Sequence, residues 1–316
     1  MITPDTILST PEGWIKVKDI TPGTVLTSVD GTAVVEAKTS FTSPLNTIYS
    51  LDGRSFISGE DQYLYRVTYN QSRSIRHTLK AVKEIRLEAG STIHLQLHNV
   101  IHEGFITPSH DVEVQAFYDC LASNQIVDLE GKVKTYFQDR IKFTSKQPYT
   151  YTFDKPSGPP RLPDEVFDWK LEYRLKYLSV LLRVFSEVFW GKVIYFDSYE
   201  FSYTEKVLRL VNSVGGYAIW TPQKNSIWKT RNFYGISSEP LRQYQVRLPD
   251  SISPRLSTLW GEWEKEKFGN SRTFLSHRIP METEGEVVHL SLDKPAVVYT
   301  NEFIPLWFSD WRPEGE

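Results

Sequence analysis

Along residues 1–107, apolar and polar positions alternate in short runs: TILST, WIKVKDI, TVLTSV, AVVEAKTSF and NTIYSL, punctuated by PEG, TPG, VDG and LDG. A period of two is that of a strand with one buried face, and glycine-bearing turns at such short intervals make tight hairpins. No helical period of any length occurs here, so the stretch is expected to be all-β. The pattern changes at residue 108. HDVEVQAFYDCLASNQ sets Val112, Val114, Phe117, Leu121 and Ala122 near helical spacing. TYFQDRIKFTS and YTYTFDK read as strands and SGPPRLP as a loop. The longest apolar-periodic stretch is 164–190, with Pro163 and Asp164 placed for a helix start. Its charges thin out between Tyr177 and Val184, so that part is expected to be buried on most sides.

KVIYFDSYEF reads as strand, and TEKVLRLVNSVGG as a helix closed by Gly215 and Gly216. GYAIW, SIWKTRNFYGIS and RQYQVRLP read as further strands. The segment 286–309 returns to the strand-and-turn style of the start. A β-rich beginning and end around an α/β middle suggest one domain inserted into another. The expected class is α+β, with a discontinuous β domain (1–107 and 283–316) interrupted by residues 108–282.

Composition narrows the picture. At 316 residues the chain is long enough for two cores. The single cysteine, Cys120, excludes an intramolecular disulfide and a cysteine-rich zinc site, and a reducing cytoplasm is expected. The start has no basic segment followed by an apolar run, so no signal peptide is expected. No run approaches 18 apolar residues, so no membrane association is expected. The net charge of −3 hides a gradient: residues 1–100 sum to 0, 101–280 to +3 and 281–316 to −6, while 221–280 alone carry +5. Such asymmetry hints at a polyanion-facing patch, although a dedicated DNA binder is far more basic.

The opening segment contains Asp5-Thr6, Gly13, the unit Ile15 to Ile20, Gly23, and the turn Ser28 to Gly31. In that order and spacing it resembles the first block of inteins and other Hint domains. The resemblance implies a β-rich splicing domain, and it locates the chemistry. Met1 stands where the family has the Cys or Ser nucleophile; a thioether has no proton to lose and forms no ester. As Met1 is also the chain start, no upstream peptide is expected. ISGEDQYLYRV resembles the second block, with Ser58 at the Thr position and Asp61 at the His position, and an ionised Asp donates no proton to a leaving amide. The closing VVHLSLDKPAVVYTNEFIPLWFS resembles the last block, but Trp307 and Phe308 replace its His-Asn pair, and Phe308 has no amide to cyclise. Ser309 keeps a hydroxyl downstream. Splicing is therefore not expected.

Residues 177–220 resemble the LAGLIDADG homing endonucleases, which implies two central helices, saddle-shaped antiparallel sheets, and paired acids holding divalent ions on DNA. Here the motif acid falls on Phe185. In the first copy, FYDCLASNQIV, it falls on Ser123 or Asn124. Asp119 and Glu187 are the nearest acids, and Glu187 is expected to be a solvated helix-end charge. Val180 and Val184 stand where small residues let the two helices touch, which implies a looser pair. No catalytic residue and no resident metal is expected; magnesium enters only under the alternative of an active endonuclease cutting double-stranded DNA with displaced acids. Lys224, Lys229, Arg231, Arg242, Arg247 and Arg255, interleaved with Trp228, Phe233, Tyr234 and Tyr244, are the candidate DNA-contacting residues. His94, His98 and His102 have the spacing of helical zinc ligands, but Ile93, Leu95 and Leu97 alternate with His94, Gln96 and His98 as on a strand. Strand residues four apart are separated by about 13 Å, too far to share an ion. Exposed-looking Trp307, Phe308 and Trp311 make 303–316 a candidate protein contact.

The expectation is a domesticated, non-enzymatic intein relative, phage- or mobile-element-borne, acting as an assembly or DNA-binding accessory in the host cytoplasm or a virion.

Overall fold

The structure is a computed structural model. It describes residues 1–50, 55–69, 75–85, 95–98, 102–120, 127–128, 137, 139–141, 144–147, 150–152, 161–184, 186–189, 193–197, 201–221, 243–247 and 272–309. The chain divides into two units, one formed by Met1–Phe105 with Ser271–Glu316, the other by Ile106–Asn270. The protein is mostly sheet with few helices. None of the described helices is long and apolar enough to cross a membrane.

The first unit opens with a hairpin of β1 (Ile7–Thr10) and β2 (Gly13–Lys16), followed by a 3-10 turn at Val17–Asp19. Its strands are then β3 (Val25–Ser28), β4 (Gly31–Ser50), β5 (Ser55–Gly59), β6 (Tyr63–Tyr69), β7 (Ile75–Ala81) and β8 (Leu95–His98). The middle of the chain supplies β9–β15, and the first unit resumes with β16 (Arg272–Leu292), β17 (Ala296–Tyr299) and β18 (Pro305–Phe308). The turn at Val29–Asp30 delivers the chain into β4 through Gly31, whose φ of 114° no L side chain adopts comfortably. Among the described residues, the strands run β16-β8-β6-β18-β17-β3-β4-β5, with β7 beside β6. Because β16 also pairs with β4, this order closes on itself.

The β4–β16 pairing is the long seam of the unit. It runs antiparallel from Leu292 opposite Val35 to Leu275 opposite Ser50, with register shifts after Leu275, Pro280 and Ser291. Such irregularities bend and twist paired strands, which a closed sheet requires. Inside lies one apolar cluster that includes Ile2, Leu8, Leu26, Ile48, Leu64, Val288, Leu306 and Phe308.

The second unit starts with helix α1 (Val112–Cys120), capped by Asp111, whose Oδ1 accepts the backbone N–H groups of Glu113 (3.1 Å) and Val114 (3.3 Å). Arg140 ion-pairs with Asp111 and Glu113, fixing the cap. Strand β9 (Val127–Asp128), β10 (Thr144–Gln147) and β11 (Thr150–Thr152) form a sheet of order β10-β11-β9. Part of TYFQDRIKFTS departs from the expected strand: Phe137 is helical, and its carbonyl accepts the N–H groups of Arg140 and Ile141.

The stretch 164–190 is also not one helix. A 3-10 turn (Asp164–Asp168) precedes helix α2 (Leu171–Val184), and strand β12 (Ser186–Phe189) follows. The break has a backbone cause: Ile106 pairs with Trp169, donating to Asp168 O (2.9 Å) and accepting from Lys170 N (2.8 Å), so these groups are withdrawn from any helix. After α2, SEVF pairs as a hairpin with β13 (Val193–Asp197). Then come α3 (Phe201–Ser213), closed by Gly215 at φ 78°, β14 (Tyr217–Thr221) and β15 (Gln243–Arg247), in a sheet of order β12-β13-β15-β14. The two halves thus repeat one connectivity, since β9-β11-β10 matches β13-β15-β14. The expected strand SIWKTRNFYGIS lies outside the described residues.

Arg174 in α2 is fully buried, its guanidinium donating to Trp169 O (2.9 Å) and to the α3 carbonyl of Ser213 (2.8 Å). It ties the helix entry to the end of the next helix. Arg174→Ala is expected to orphan both carbonyls and open a cavity, costing about 3 kcal/mol or more. The check is the urea midpoint of the second unit, read from the intensity of its tryptophans.

Candidate functional site

Three remote pieces of the first unit meet at one place. Ile2 bridges both Ser58 on β5 and Val288 on β16, and Ile2 N donates to Val288 O (3.1 Å) while Val288 N donates to Ile2 O (2.7 Å). Gly59 N donates to Met1 O (3.1 Å). The approach is close: a Cβ on Gly59 would lie 3.2 Å from Ser43 Oγ, 3.3 Å from Val287 Cγ1 and 3.4 Å from Met1 Cβ. Met1 is buried as a result.

Gln62 holds the centre. It is 1% exposed; its Oε1 accepts from the Met1 nitrogen, and its Nε2 donates to Tyr63 O (2.8 Å) and to Trp307 O of β18 (3.0 Å). One amide therefore ties together the first residue, the β5–β6 turn and the last strand. Its neighbour Asp61, the candidate from the motif, ion-pairs with Lys83 at the partly exposed rim.

Electrostatics favour neutral groups. Burial pushes the Met1 ammonium down from 8.0 to about 5, partly opposed by the charge of Asp61. His289 on β16, opposite Thr39, is held below its ordinary 6.5, at about 4, first by burial and then by the positive charge of the chain's amino group. Ser58 is fully buried in β5 and its Oγ has no hydrogen-bond partner. No base is therefore placed to activate it. Trp307 is half-buried beside Tyr63, and Phe308 is 2% exposed opposite Ala296. The side chains of Met1, Gln62, Trp307 and Phe308 are a thioether, a carboxamide, an indole and a phenyl ring, which offer hydrogen bonds and packing.

Of the segment expected to make a protein contact, 303–309 is described, and Phe308 is buried where exposure was expected. Phe303, Ile304, Leu306 and Phe308 are each no more than 2% exposed and fill the first unit's core. Trp311 lies outside the described residues.

In the second unit, Phe185, Ser123 and Asn124 lie outside the described residues. Asp119 sits near the end of α1, 5% exposed, where it accepts from Tyr177 of α2 (3.3 Å) and faces Arg161 Nε at 3.4 Å. Burial pushes its carboxyl above the ordinary value, against the hydrogen bonds from Arg161, Gln115 and Tyr177. Its oxygens are thus occupied in joining α1 to α2. Glu187 is not at a helix end, as expected, but in strand β12 opposite Tyr195. Among the described residues, no three His, Cys, Asp or Glu side chains come together as metal ligands would. His98 ends β8 opposite Arg272, and His94 lies outside the described residues.

Of the candidate DNA-contacting residues, only Arg247 is described, in β15 opposite Tyr217. Lys224, Lys229, Arg231, Arg242 and Arg255 lie outside the described residues.

A comparison with protein-family models finds no match, and a comparison with curated proteins finds none either. Solved structures of inteins are similar over part of the chain. The gp41-1 intein shares 17% identity over 31% of this chain and 66% of its own, at a TM-score of 0.24. The Msm DnaB1 intein splicing domain bound with zinc shares 21% over 27% and 62%, at 0.22. The MchDnaB-1 intein shares 20% over 27% and 62%, at 0.22. The chain spans just under two thirds of the length of these inteins, and a likeness of this size defines neither fold nor activity.

The depressed His289 value sets a pH dependence. Between 6.5 and about 4 the unfolded chain holds more protons on His289 than the folded one, so stability falls as pH falls through this window. His289→Gln is expected to flatten that part of the stability–pH curve. Urea midpoints at pH 7, 6 and 5 check it; an unchanged slope counts against the assignment.

Proposed function

We propose that the protein is a Hint-type scaffold carrying an inserted unit of the LAGLIDADG type, and that it acts by contact rather than by making or breaking bonds. The observation that carries this reading is the Gln62 bridge. The Met1 nitrogen, the Gly59–Gln62 turn and the carbonyl of Trp307 converge on one amide, and the side chains of Met1, Trp307 and Phe308 offer neither the hydroxyl or thiol that forms an ester nor the amide that cyclises. The β-rich unit interrupted after Phe105 supports the scaffold part. The strand order common to β9-β11-β10 and β13-β15-β14 supports the reading of the insert.

In the insert, the acid nearest the motif position, Asp119, is engaged by Tyr177 and Arg161, which favours a role in packing over metal binding. The surplus of five positive charges in residues 221–280 supports duplex DNA as the partner of the insert. An assembly role for the same scaffold, in a phage particle or another nucleoprotein, remains within the reading.

Supercoiled plasmid incubated with the full chain and excess magnesium or manganese is expected to stay uncut. Nicking that Glu187→Gln or Asp119→Asn abolishes would establish the endonuclease alternative instead. Duplex binding is expected to weaken with salt, and Arg242→Ala with Arg247→Ala to lower the log–log slope by roughly 2, since each phosphate contact contributes about 0.9. Binding with no salt slope would remove the DNA role.

A further inference from the structure

The segment 102–105, where the chain leaves the first unit, is plugged into an aromatic cage. His102 is 2% exposed and lies flat on Trp14 of β2, with ring centroids 4.9 Å apart and planes 19° from parallel. The edges of three further rings close around it: Phe105 at 5.0 Å, Phe303 at 5.8 Å and Tyr299 at 6.5 Å. Trp14 also meets Phe105 and Phe303 edge-on, at 6.3 and 5.7 Å. The imidazole is anchored as well as enclosed, since its Nε2 lies 3.1 Å from the Oγ of the fully buried Ser9 on β1.

Two features mark the cage as specified rather than incidental. Phe303 is the non-glycine residue among those described with a positive φ, 56°, a conformation that aromatic side chains rarely adopt. It is held there by the turn in which Thr300 Oγ1 accepts from Glu302 N and Ile304 N, and the result is to present the ring to His102. Second, the enclosed residues belong to the departing chain itself. Glu103 between them is exposed, and Gly104 turns the backbone at φ 77° to bring Phe105 back against His102. The chain thus enters the cage, loops outward for two residues and re-enters.

We propose that His102 and Phe105 form a latch that fixes the exit segment to the first unit and can release it without opening the sheet. The ring contacts and the hydrogen bond described above join the latch to β1, β2, β17 and the β17–β18 turn, and these yield before the β4–β16 seam does.

Glu103 provides the test, because it is exposed yet flanked by latched residues, and a protease needs several residues of free chain around the bond it cuts. The full chain is digested with a glutamate-specific protease at neutral pH and the fragments are identified by mass. Cleavage after Glu103 is expected to be slow in the native chain and at least tenfold faster in His102→Ala and in Phe105→Ala. Cleavage after Glu282, Glu284 and Glu286, exposed on β16, is expected to stay unchanged and reports the integrity of the seam. Equal rates at Glu103 in all three proteins would overturn the proposal. So would parallel acceleration at Glu103 and at the β16 glutamates, since the cage would then be part of the sheet's own stability and no separate latch would exist.

Discussion

The pairing of β4 with β16 is the constraint from which the first unit follows. It joins residues 35–50 to residues 275–292, across the whole of the second unit in sequence. Without it the N-terminal strands form an open sheet with a bare edge, a liability that proteins usually cover or close. With it the strand order closes, and the hydrophobic cluster around Leu26, Ile48 and Val288 is complete. The seam also carries Val288 to the place where it receives Ile2, so the first residues of the chain are brought indoors by a strand that comes almost last. Contacts of such long separation are entropically expensive to form, and folding of this unit is expected to be governed by them.

Once the chain start is indoors, its chemistry is decided by solvation. The Met1 amine, His289 and Ser58 sit where water does not compete, so charged forms are disfavoured and hydrogen bonds count heavily. Gln62 suits such a site because an amide satisfies donors and acceptors without carrying charge. A histidine or a carboxylate in its place could move protons but would bring a titration into the core. The second unit shows a different solution at Asp119 and Arg174, where charged groups are kept inside by giving each several hydrogen-bond partners.

Much of this was legible in the alternation of side chains, and the failures are informative. The hairpins of the first unit follow the period-two runs closely, and α3 ends at the glycines that marked its close. The same alternation places Gln62 on one face with buried Leu64, and Asp61 with exposed Tyr63. His289 gave no such signal, because Val287 to Leu290 are all buried and alternation is lost there. Phe308 reads as an exposed anchor because it stands in the acidic stretch 281–316; its burial is set by β17, where it pairs with Ala296 and which the local pattern does not contain. The split of 164–190 depends on Ile106, which takes the carbonyl of Asp168 and the N–H of Lys170 from far away in sequence.

The division of the first unit into two stretches has a consequence for biosynthesis. A ribosome releases residues 1–105 well before β16 to β18 exist, so the early strands must wait with their seam unfilled and their apolar face uncovered. The second unit, being continuous in sequence, completes its own core during that interval. Assembly of the finished protein is therefore ordered from the inside of the chain outward, and the nascent N-terminal strands are the species on which a chaperone would be most needed.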